Sequence, residues 1–299
     1  MSLVKKISVN THYTRSVNLE RDADSLDVLR AYIPTSRALR TLSKIAGSFH
    51  CEQAPRAWSL VGPYGSGKSS FSAFLSHLIS DSNDVGALEA RKILIDADAD
   101  LGHKFSEETE TNGYLKILLT GAPEAMGRRI VKGMFDAANK YWAGSKGTKP
   151  KILSQLLETL TQEEISTTEI INLMKSLQQQ LERKGCSGIM LVIDELGKFL
   201  EYEARHYGAN DIYLLQSLAE HACKGEKVNL YLFVLLHQSF EQYAKGLGES
   251  LKKEWSKVQG RYEEVPFVES AEQVLRVVSA AFNHNLDSKE DIVLSEAVD

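Results

Sequence analysis

Ala57-Trp58-Ser59-Leu60-Val61-Gly62-Pro63-Tyr64-Gly65-Ser66-Gly67-Lys68-Ser69-Ser70 is the stretch whose reading decides the fold. Ala57–Val61 reads as a short buried strand, and Phe71, Phe74, Leu75 and Leu78 repeat at helical spacing beyond the glycines. Strand, glycine loop and helix follow in that order. Gly62 to Ser69 satisfy G-x-x-x-x-G-K-[ST] at every fixed position. Each residue type has a task there. Glycines let backbone N–H groups curl around a β-phosphate, and the following helix presents the positive end of its dipole. Lys68 is placed to reach β- and γ-phosphate oxygens, and the Ser69 hydroxyl to ligate Mg2+. Gly62, Pro63, Tyr64, Gly65, Ser66, Gly67, Lys68, Ser69 and Ser70 are therefore expected to hold a nucleotide. An ordinary glycine turn leaves Lys-Ser at the helix start unexplained.

Working outward, Ile189-Met190-Leu191-Val192-Ile193-Asp194-Glu195 is an apolar strand ending in two carboxylates. Asp194, at the strand end, is placed to support the Mg2+ shell. Glu195, one residue on, points differently and is the candidate general base for the attacking water. Paired acids at a strand end are also compatible with solvated surface, but a P-loop in the same chain weighs against that. Asp194-Glu195-Leu196-Gly197 satisfies D-x-x-G as well, whereas the guanine signature N-K-x-D is missing. ATP is therefore favoured over GTP.

Around these motifs the spacing predicts a mostly parallel sheet covered on both faces. Strands are expected at 92–96, 188–193 and 230–236, with a helix opened by Thr35 as N-cap. The region 113–185 reads as helical without strand signals, with helices at 122–142, 152–160 and 168–184. It is taken as a helical insertion, spanning about 101–187, in an α/β P-loop NTPase core. Further helices are expected at 211–223 and 240–257. The expected division is an N-terminal extension at 1–34, the ATPase core at 35–268, and a partial helical lid or the start of a following region at 269–299.

The strand at 230–236 ends in His237-Gln238, and either residue is placed to sense the γ-phosphate or the attacking water. Farther on, Gly260-Arg261-Tyr262 offers Arg261 as an arginine finger acting on a neighbour's nucleotide. The alternative is a surface arginine paired with Glu263 or Glu264. Tyr64 is exposed by its place in the loop and free to stack on adenine or a partner.

In this order the motifs resemble those of the AAA+ ATPases, where a Gly-Arg-aromatic segment commonly carries the finger. The fuller wording, Arg56 through Ser69 with Ile193-Asp194-Glu195-Leu196-Gly197-Lys198-Phe199-Leu200-Glu201, is similar to ATPases of prokaryotic antiphage defence systems of the bacteriophage-exclusion kind. The resemblance implies Mg-dependent ATP hydrolysis by an oligomer, a ring or filament, coupled to assembly or remodelling, with an effector protein of the same system as partner. The alternative is an ATP-gated switch that recruits an effector with little turnover. The chain departs from AAA+ modules after Arg261, where only 38 residues remain for a lid.

Composition narrows the rest. The chain has 299 residues with 40 acidic and 35 basic side chains, a net charge of −5, which lends no support to a nucleic-acid partner while leaving a local contact open. The longest apolar run, Leu230 to Leu236, is far short of the roughly 20 residues a membrane helix needs. Three scattered cysteines, Cys51, Cys186 and Cys223, form no metal-spaced group and suit a reducing, cytoplasmic setting.

Overall fold

A computed structural model describes residues 6–9, 16–51, 53–108, 112–144, 150–205, 211–243 and 255–284. Its centre is a five-stranded sheet. In chain order, after a short β1 (Ile7–Val9), these strands are β2 (Ala57–Val61), β3 (Tyr114–Thr120), β4 (Gly188–Asp194), β5 (Asn229–Leu236) and β6 (Glu263–Pro266). They lie in the order β3-β4-β5-β2-β6, every neighbouring pair parallel. β5 thus separates the glycine-loop strand from the Asp-Glu strand. Val61 pairs with Leu236, and Ile193 with Val234, so the C-terminal ends of all three strands open on one edge.

Both sheet faces are buried, because successive side chains point to opposite sides and both sets are apolar. Ile189, Leu191 and Ile193 pack with α7 (Met126–Trp142), α8 (Lys151–Thr161), α9 (Thr167–Glu182) and α11 (Asp211–Cys223). Met190 and Val192 face the other way. They pack with α3 (Ser36–Gly47), α4 (Lys68–Leu78), α5 (Val85–Ala97) and α6 (Ala99–Glu108). Thr35 caps α3, its side chain accepting from Ala38 N–H, as its place before the apolar periodicity requires. Among the described residues, no helix is long and apolar enough to cross a membrane.

Two expectations are corrected. Residues 92–96 are helical, inside α5, not a strand. Gly86, Ala87, Ala90, Arg91 and Leu94 are the buried side of α5, a helical spacing, and Asp84 caps its start through Ala87 N–H. The run Ile93-Leu94-Ile95 was short enough to fit either period. The missing strand is instead β3, within the region read as wholly helical. Tyr114-Leu115-Lys116-Ile117-Leu118-Leu119-Thr120 forms the sheet edge beside β4. The helices expected at 122–142, 152–160 and 168–184 are α7, α8 and α9, and Gly185, at φ +70°, takes the left-handed turn after the last. Of the helix expected at 240–257, residues 240–243 and 255–259 are helical and 244–254 lie outside the described residues.

The N-terminal segment packs onto this core. α1 (Leu19–Asp22) lies against β3 and α4, and α2 (Leu26–Arg30) against α5 and α4. After β6, α13 (Ala271–Ala280) leads into β7 (Phe282–His284), which pairs antiparallel with β1.

Candidate active site

The glycine loop connects β2 to α4 through two left-handed residues, Gly65 at φ +75° and Gly67 at φ +87°. Side chains disfavour that conformation, so glycine serves there for backbone geometry. Gly62 serves for space. A Cβ on it would stand 2.3 Å from the Phe267 carbonyl oxygen. Gly67 is the N-cap of α4, and no side chain caps that helix, so its first N–H groups face the loop's cradle. Lys68 is buried, with Nζ donating to the carbonyls of Gly62 (2.6 Å) and Pro63 (2.9 Å) and to Ser66 Oγ (3.2 Å). Burial pulls its pKa down, and the nearby Asp194 carboxylate opposes that shift.

Ser69 Oγ donates to Asp194 Oδ2 at 2.6 Å. The sheet order creates this contact, because β4 and β2 end on the same edge on either side of β5. Burial raises the Asp194 pKa, and hydrogen bonds from Ser69 and from Glu195 N–H hold it back. A hydroxyl beside a carboxylate, both hard oxygen donors, fits a small divalent cation such as Mg2+.

Glu195 follows in a strained backbone, at φ 50°. That turn separates its carboxylate from Asp194, and Glu195 bonds to Lys198 Nζ through Oε2. The turn is braced from β3. Gly121 N–H donates to the Asp194 carbonyl (2.8 Å), and a Cβ on Gly121 would come within 2.2 Å of the Glu195 carbonyl oxygen. Thr120, in register with Asp194, lines the cavity and has a buried Oγ1 with no hydrogen-bond partner among the described residues.

His237 lines the same cavity, and Gln238, one residue on, is exposed and does not. The Tyr64 ring stacks on the His237 imidazole, centroids 3.4 Å apart. Arg261 lies elsewhere. It precedes β6, whose far end, Pro266, is the one that reaches the glycine-loop side opposite Val61. Its Nε donates to Glu220 Oε1 at 2.7 Å, so its carboxylate partner is neither Glu263 nor Glu264. The structure therefore gathers Lys68, Ser69, Asp194, Glu195 and His237 at one strand edge and leaves Arg261 at the other end of the sheet.

These residues form one end of a cavity of about 870 Å3. Pro63 through Ser70 line it. The opposite walls come from parts of the chain that carry no nucleotide motif. Val28, Ala31, Tyr32 and Ile33 come from the N-terminal segment, and Val274, Val277 and Val278 from α13. Thr35 Oγ1 donates to Glu269 Oε1 at 2.5 Å, tying those two walls together. A mainly apolar slot beside a phosphate loop is suited to a flat base. The segment expected to be an extension thus builds part of the site. Its only sequence signal was a weak apolar spacing at Val28, Ala31 and Tyr32.

Comparison with protein families matches residues 41–206 to the KAP family P-loop domain. That span holds the glycine loop, β3 and the Asp-Glu strand. No curated protein matches the chain.

Proposed function

The chain belongs to the KAP family of P-loop NTPases, and from that premise we propose that it hydrolyses ATP with Mg2+ in an oligomer whose assembly or remodelling of a partner depends on turnover. The observation that carries this reading is the Ser69–Asp194 hydrogen bond with Glu195 directly beside it. Ser69 and Asp194 would hold Mg2+, which neutralises charge on the phosphates when bound. Lys68 leaves the loop carbonyls for phosphate oxygens. Glu195 takes a proton from water as the water oxygen bonds to the γ-phosphorus and the bond to the bridging oxygen of ADP breaks. The valine and tyrosine walls cover the base.

Arg261, far from its own loop, is the residue offered to a neighbouring copy, which is why a ring or filament is proposed. An effector protein as partner and an antiviral setting rest on the wording of the loop and the Asp-Glu strand alone. Glu195→Gln is the deciding variant. Turnover should fall on the order of 10² to 10⁴-fold while ATP still binds, and Arg261→Ala should lower turnover only where the protein assembles. Full turnover in Glu195→Gln would sink the mechanism.

One observation favours a second reading. Glu195 is already engaged by Lys198, which competes with activation of water. In that reading ATP occupancy recruits an effector and turnover is negligible. Effector capture by Glu195→Gln and the parent protein alike, at equal ATP, would select it.

A further inference from the structure

His237 leaves β5 directly after Leu236, whose carbonyl accepts from Gly62 N–H (3.1 Å). The imidazole therefore starts beside the root of the glycine loop. Tyr64 belongs to that loop, is 74% exposed, and lays its ring on the imidazole with the planes 26° from parallel. Yet both ring nitrogens of His237 are buried with no hydrogen-bond partner among the described residues. Lys68, Glu195 and Lys198 are the charged groups that act on the ring.

A histidine stacked on one face, with its polar atoms unspent, is arranged for something that arrives. The base end of the cavity lies away from it, at Tyr32 and α13. Its own surroundings are Lys68 and Glu195, the terminal-phosphate end. The side chain of a strand-end histidine turns freely about two bonds unless something stacks on it, and an orientation set in advance costs nothing at the moment of reaction.

We propose that Tyr64 is the positioning residue for His237, its ring holding the imidazole so that a ring nitrogen meets the γ-phosphate or the attacking water. This rests on the ATP reading above and assigns His237, not Gln238, as the γ-phosphate contact. The ring does the positioning and the tyrosine hydroxyl is dispensable to it. Tyr64 itself touches neither phosphate nor water.

The test follows the His237 ring nitrogens by NMR in the whole chain, adding Mg-ADP or Mg-AMP-PNP, with turnover measured in parallel. In the parent protein the His237 nitrogens should shift with Mg-AMP-PNP and not with Mg-ADP. Tyr64→Ala should abolish that difference and lower kcat about tenfold, with a much smaller change in KM. Tyr64→Phe should restore most of both. Tyr64→Ala on a His237→Ala background should cost little more, because the two act as one unit. Tyr64→Phe as poor as Tyr64→Ala, or multiplying losses in the double variant, overturns the proposal. Binding of both nucleotides with identical His237 nitrogens overturns it while leaving the ATP reading standing. Failure to bind either nucleotide overturns both.

Discussion

Ser69 Oγ donates to Asp194 Oδ2 across 2.6 Å, although 125 residues separate them in the chain. The contact joins the first helical turn after the glycine loop to the end of β4, and β5 spaces the two strands so that they meet. Asp194 is buried, which raises its pKa, and its charge is stabilised by the Ser69 hydroxyl, the Glu195 N–H and Lys68. A cation at this point would relieve that burial penalty. Asp194→Asn should therefore lose turnover on the order of 10² to 10³-fold, and Mg2+ should no longer strengthen nucleotide binding. Titrating nucleotide with and without Mg2+ checks it, and an undiminished Mg2+ effect would refute it.

Gly121 packs directly against the backbone of the proposed base. Any Cβ there meets the Glu195 carbonyl oxygen at 2.2 Å, and backbone cannot step aside as a side chain can. Gly121→Ala should destabilise the fold by about 2 kcal/mol and displace the Asp194–Glu195 turn. Thermal melting and turnover should fall together. Unchanged turnover would show that the strained turn tolerates movement.

Asp211 is a buried carboxylate whose pKa burial pushes up to about 6, against hydrogen bonds from the N–H groups of Met126 and Gly127. It stands in for the missing cap of α7, whose N-cap is Ala125. The folded state holds its proton more tightly than the unfolded chain does. Its contribution to stability is thus fully present below the unfolded value of 3.8 and declines as pH rises toward about 6. Two pH units correspond to roughly 3 kcal/mol at most. Asn can still accept from Met126 N–H without carrying a charge. Asp211→Asn should gain on the parent protein between pH 4 and about 6 and keep a constant lead above it. Paired denaturant melts across that range measure the gap.

The cavity end proposed to take the base is lined by α13, none of whose residues is buried. Substitutions there should leave the fold intact. Val278→Asp places a charge in the apolar wall proposed to cover the base. KM for ATP should rise about tenfold, roughly 1.4 kcal/mol, with kcat little altered. A fall in kcat at constant KM would mean that α13 acts on the phosphates instead.

What could be read from the chain alone was whatever is encoded within a few neighbouring residues. The glycine loop needs left-handed backbone and a helix start in one short stretch, so Gly65, Gly67, Lys68 and Ser69 identify themselves by order. Asp194 closes a seven-residue strand, Glu195 follows it, and both are equally local. Sheet class followed as well, since uninterrupted apolar strands require cover on both faces. Between Lys92-Ile93-Leu94-Ile95-Asp96 and Tyr114-Leu115-Lys116-Ile117-Leu118-Leu119-Thr120 the chain offered no local means of choosing. Both are short apolar runs, and only the vacancy beside β4 decides which one pairs. The same limit applies to the site. Tyr32 and Val278 line one cavity, Gly121 braces Glu195, and Tyr64 rests on His237 through contacts between distant segments. Local sequence carries backbone preference and periodicity, whereas these contacts depend on which strand ends the folded sheet brings to one edge.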